Sequence, residues 1–137
     1  MARILVVDDS MFYCLALKSI LEDAGHTVVG VASNGGDALK RYAELKPDAV
    51  TLDVMMAPEA GARVVPTEPA AGGQEGLVVL HELRRRDPKA VVIMVTSVSD
   101  AAIHSRAGAL GASGFIQKPF KAVEIREALA RALGATR

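Results

Sequence analysis

Five polar residues in four separate stretches have the types needed for chemistry on an anionic group: Asp8 and Asp9, Asp53, Thr96 and Lys118. Each stretch follows a short apolar run, and Ser97 and Pro119 stand directly behind two of them. Three carboxylates drawn together at a partly buried place repel one another and need a cation. With open positions they suit a hard ion such as magnesium, which prefers oxygen ligands and keeps several waters. A nearby lysine completes the charge balance and reaches an anionic ligand, and a threonine hydroxyl can donate to a phosphoryl oxygen. Aspartate can itself act as a nucleophile and form an aspartyl-phosphate. Metal and lysine then stabilise the charge on the transferring group. An Asp pair after a strand is common, and a lone Lys-Pro means little. Their joint occurrence at successive strand ends is the specific signal.

The elements that must position these residues are legible in the pattern. Ile4 to Val7 is a continuous apolar run, as in a strand covered on both faces. Tyr13, Ala16, Leu17, Ile20, Leu21 and Ala24 recur at helical spacing, and Gly25 offers a C-cap. Val28 to Ala32 reads as a strand. Asn34 can cap a helix to about Leu45, which Pro47 stops, and Ala49 to Leu52 is a third strand. Leu77, Leu80 and Leu83 mark a helix ending near Pro88, followed by a strand over Val91 to Val95. A helix over Ser99 to Leu110, a strand over Phe115 to Gln117 and a helix over Ala122 to Leu133 complete the chain. Such alternation implies an α/β fold, a parallel sheet with helices on both faces and right-handed crossovers. In these sheets chemistry sits beyond the carboxyl ends of the strands.

Composition sets the class. The chain has 137 residues, half of them apolar, enough for one domain with a real core. Sixteen basic and sixteen acidic side chains cancel, so nothing pulls the molecule as a whole toward nucleic acid or an anionic membrane. The lone Cys14 excludes an internal disulfide and suits a reducing cytosol. The apolar runs are too short to span a bilayer, and Asp8 and Asp9 interrupt any leader-like start, so a cytoplasmic location is expected.

The segments Ile4-Leu-Val-Val-Asp-Asp-Ser10, Leu52-Asp-Val-Met-Met56, Val95-Thr-Ser97 and Gly114-Phe-Ile-Gln-Lys-Pro-Phe120 resemble a receiver domain of two-component signalling, and most nearly the stand-alone chemotaxis type. The resemblance implies a flavodoxin-like, doubly wound (βα)5 sheet of strand order 2-1-3-4-5. It also assigns roles. Asp53 matches the phosphoacceptor. Asp8, Asp9, Asp53 and the backbone carbonyl of Met55 match the Mg2+ ligands. Thr96 and Lys118 match the groups that contact the phosphoryl, Phe115 the aromatic switch position, and Lys118-Pro119 a cis-peptide candidate. The implied partners are a sensor histidine kinase or a histidine phosphotransfer protein, and a downstream target on the face at 99–133. Neither nucleic acid nor membrane is expected as a partner, and no enzyme activity beyond self-phosphorylation and self-dephosphorylation. Phe115 lacks a phenolic hydroxyl, so packing alone must hold any inward state.

One stretch departs from the family. Between 57 and 75 the chain is rich in Ala, Pro and Gly, and Glu75-Gly76 replaces the usual Asp-Gly. About fifteen residues are thereby inserted between the third strand and third helix, an uncommon loop length in a compact domain. A tolerated surface insertion is favoured, because closure entropy grows slowly with length; the alternative is that it partly covers Asp53, or makes a partner site, and changes phosphate lifetime. Phe12, Cys14 and Leu15 fall off the first helix's apolar stripe, and scattered exposure is their expected state. Arg84-Arg85-Arg86 is read as a solvated helix face, not a nucleic-acid patch. His26, His81 and His104 lack metal-ligand spacing. Two rival functions remain. An aspartate-nucleophile phosphatase would need a second aspartate where Met55 stands, and a receiver-like interaction domain would not need the intact constellation.

Overall fold

The computed structural model describes residues 2–56 and 75–134. Five strands alternate with five helices: β1 (Arg3–Val7), α1 (Met11–Asp23), β2 (Thr27–Ala32), α2 (Gly35–Leu45), β3 (Ala49–Leu52), α3 (Glu75–Arg86), β4 (Val92–Thr96), α4 (Ala101–Ala109), β5 (Gly114–Gln117) and α5 (Ala122–Gly134). All neighbouring strands pair in parallel, in the order β2-β1-β3-β4-β5. This is the doubly wound arrangement that the resemblance implies. Most of the insertion at 57–75 lies outside the described residues.

Period-two alternation divides the core between the two faces of the sheet. Leu5, Val7, Val50 and Leu52 point toward α2, α3 and α4, where Leu77, Leu80, Leu83 and Ala107 complete one cluster. Ile4, Val6, Ile93 and Val95 point the other way, against Leu17 and Leu21 of α1 and Ile125 and Leu129 of α5. A strand apolar at every position is therefore one sandwiched between helices. The edge strand β2 is only half-buried, and its register with β1 slips at Ile4/Leu5.

Local chemistry sets the ends. Ser10 and Asn34 cap α1 and α2 by accepting the backbone N–H of Tyr13 and Asp37. Gly25 adopts φ +91° after α1, a backbone that a Cβ would strain. Pro47 disfavours the right-handed region for the residue before it, and Lys46 leaves α2 at φ 48°. Helix α4 begins later than Ser99, because Asp100 caps it through Ala102. Two expectations about side chains change. Cys14 is buried, not exposed with Phe12 and Leu15: it stacks one turn before Leu17 and two before Leu21 on the face turned to the sheet. Arg84 is structural, donating to the Ala90 carbonyl at 2.9 Å, whereas Arg85 and Arg86 pair with Glu82 on the exposed face.

Candidate functional site

Asp8 follows β1, Asp53 follows β3, and Lys118 follows β5, so the parallel register delivers all three to one end of the sheet. Backbone bonds lock the ends in place. Asp8 N–H donates to the Ala32 carbonyl at 3.0 Å, Asp53 N–H to Val7 at 3.1 Å, and Lys118 N–H to Thr96 at 2.8 Å. The first residue past each strand thus stays in register with its neighbour.

The three side chains meet. Lys118 Nζ donates to Asp8 Oδ2 at 2.6 Å and to Asp53 Oδ2 at 2.9 Å, with all three residues buried. The second oxygens are held too, Asp8 Oδ1 by Ser10 N–H at 2.9 Å and Asp53 Oδ1 by Met55 N–H at 3.1 Å. Asp9 is exposed at the rim, and one oxygen from each of Asp8, Asp9 and Asp53 lies within 4.8 Å of the others. Burial pushes the Asp8 carboxyl above the ordinary range and the Asp53 charge adds to this, against the opposing pull of Lys118. Burial alone would lower Lys118, but hydrogen bonds to Asp8 and Asp53, and their charges, raise it. One ammonium is thus shared by the two buried carboxylates, with the Asp9 carboxylate close beside them.

Three of the other site residues are placed differently. Thr96 is fully buried and its hydroxyl accepts Val98 N–H at 3.3 Å, so it joins the cluster through its carbonyl bond to Lys118. Phe115 stands apart on β5, half-buried, with its ring 4.3 Å from that of His104 on α4. Met55 exposes its side chain, and its carbonyl role rests on the resemblance alone. The Lys118–Pro119 peptide bond is cis.

Gly76 explains how closely α3 approaches the end of β3. A Cβ there would fall 2.0 Å from the Asp53 carbonyl oxygen and 2.6 Å from Val54 Cα. Its N–H donates to the Val54 carbonyl at 2.9 Å, so only glycine brings the helix start this close. Two neighbours of the cluster were not singled out from sequence for a part in it. Tyr13 lies under Lys118 Nζ, 4.0 Å from ring centroid to nitrogen, and Cys14 Sγ donates to the Asp8 carbonyl at 3.2 Å. The usable signal was spacing: Tyr13 stands one helical turn beyond Asp9, yet its place in the apolar stripe marked it as core.

The response regulator receiver domain family model matches residues 4–67 and 71–130. The chain belongs to that family. This receiver is 39% identical to the chemotaxis protein CheY of Listeria monocytogenes over 132 residues, covering 96% of this chain and 98% of that protein. It is 37% identical to protein CcdB of Bacillus subtilis, covering 98% of this chain and 99% of the relative. Among solved structures, the response regulator domain of Thermotoga maritima CheB superposes with TM-score 0.76 at 33% identity, covering 96% of each chain. The CheY in the CheX–CheY–BeF3–Mg+2 complex from Borrelia burgdorferi superposes with TM-score 0.78 at 26% identity, covering 93% of this chain and 85% of that one. The receiver is thus of the CheY type. Among the described residues no helix is long and apolar enough to cross a membrane.

Proposed function

We propose that this receiver is a phosphorylation switch in which Asp53 accepts a phosphoryl group from a phosphohistidine on a sensor histidine kinase or phosphotransfer protein. The observation that carries the reading is the Lys118 ammonium held between Asp8 and Asp53 with Asp9 at the rim. In the transfer, the donor's P–N bond breaks as a bond forms from phosphorus to an Asp53 carboxylate oxygen. The imidazole leaves with the bonding pair. Asp8, Asp9, Asp53 and the Met55 carbonyl would hold Mg2+, a fit consistent with an all-oxygen donor set whose carboxylates crowd one another. When bound, the ion supplies charge neutralisation for the transferring group.

Lys118 then leaves the Asp53 carboxylate for a phosphoryl oxygen, and the Thr96 hydroxyl gives up Val98 to donate there. Both need one arrangement of the loops after β4 and β5, so the phosphoryl group biases a two-state surface. Phe115 reports that state by moving inward, which changes the face at 99–133 read by a downstream protein in a chemotaxis-like or phosphorelay output. CheX is named as a partner of the Borrelia CheY, and a protein target is the matching expectation for this chain. The role is that of a cytoplasmic signalling domain and not of a turnover enzyme. The insertion at 57–75 is proposed as a surface addition to a single receiver domain.

Labelling with a small-molecule phosphodonor and Mg2+ tests this. Stoichiometric uptake that Asp53→Asn abolishes is the expected result. Rapid multiple turnover would instead mark a phosphatase, and no uptake an interaction domain.

A further inference from the structure

Tyr13 occupies the first turn of α1, its N–H donating to the Ser10 cap at 3.4 Å. That bond fixes its backbone one turn from the Asp8-Asp9 corner. Its half-buried ring is braced on two sides, by Phe12 at 5.1 Å and 81° and by Phe120 at 5.7 Å and 51° between ring planes. Phe120 comes from the same loop as Lys118, so the loop that delivers the ammonium also grips the ring beneath it.

An ammonium has three N–H donors and no acceptor. Here two sides of Lys118 Nζ face Asp8 Oδ2 and Asp53 Oδ2, and a third faces the Tyr13 ring at 4.0 Å. The ring face carries partial negative charge and attracts a cation, the more so where water is displaced. Aromatic carbon cannot compete for the donors as water would, so it holds the nitrogen over the carboxylates without drawing it off. We infer that Tyr13 is a positioning residue for Lys118, keeping the ammonium in the carboxylate pocket. Resting on the receiver reading, it thereby sets the rate at which the pocket takes up a phosphoryl group.

The test uses 15N-labelled full chain. A lysine ammonium gives a sharp 1H–15N signal only where exchange with water is slow, and Lys118→Met assigns it. The ringless variants Tyr13→Leu and Tyr13→Met should lose that signal and take up phosphoryl from acetyl phosphate about threefold to tenfold more slowly. Tyr13→Phe, which keeps the ring face, should retain the signal and stay within about twofold of the wild-type rate. A wild-type ammonium signal in a folded ringless variant overturns the inference, and so does a Tyr13→Phe rate as slow as the ringless ones. Should the wild type take up no phosphoryl group, the receiver reading falls, while the ammonium signal alone still decides for or against Tyr13.

Discussion

Thr51 sits in the middle of β3, wholly buried, and its hydroxyl has no hydrogen-bond partner among the described residues. Its neighbours Val50 and Leu52 face the α2–α4 side, so by alternation Thr51 faces the side covered by α1 and α5. A buried hydroxyl without a partner is destabilising, and valine keeps its branched shape without the polar atom. Thr51→Val should therefore stabilise the fold by about 1 kcal/mol, read as a higher urea midpoint at an unchanged denaturant slope. Cys14 illustrates the opposite case. Burial first, and then the Asp8 charge, push its thiol up to about 11, so it is an inert packing group at neutral pH. Asp53, Asp8 and Lys118 could be singled out from sequence because ionised groups in such places need a reason. Tyr13 could not, because an aromatic in an apolar stripe already has one.

Between α1 and β2, His26 ties the start of β1 to the rest of the sheet. The Ala2 N–H donates to its Nδ1 at 3.0 Å, a bond only the neutral ring accepts. Burial lowers His26 below its ordinary 6.5. The unfolded chain then binds more protons in that range, so stability rises with pH and is lost as pH falls through 6.5. His26→Asn supplies an acceptor oxygen that does not titrate. As pH falls through 6.5 the wild type should lose more stability than this variant, read by urea unfolding at each pH. Element boundaries, in contrast, followed from local chemistry that the sequence displays. Asn34, Gly25 and Pro47 act on the two or three residues beside them, and α1 and α2 end where those residues require. Helix α4 starts two residues later than the pattern suggested, because Asp100 and Ser99 both offer caps and only the folded chain selects Asp100.

At the scale of the whole molecule, the ends of β1, β3 and β5 deliver their charged side chains to one pocket. A cation that binds only the folded pocket stabilises it by mass action, about 2.7 kcal/mol at a hundredfold excess over its Kd. Mg2+ should raise the thermal midpoint in a concentration-dependent way, and EDTA should reverse the gain. Asp9→Asn, at the exposed rim, should remove most of that increment, as measured by calorimetry. The sequence by itself determined the alternation of elements, the apolar runs that must be covered on both faces and the acidic, hydroxyl and basic residues at strand ends. These are local facts, readable because period, caps and breakers act over a few residues. Only the tertiary structure decided which of those ends touch. Asp8 and Lys118 stand at opposite ends of the chain, and their 2.6 Å contact exists because the register of parallel strands is a property of the whole sheet. The same long-range packing turned Cys14 inward and slid Tyr13 beneath the ammonium, where spacing along one helix had no means to place either.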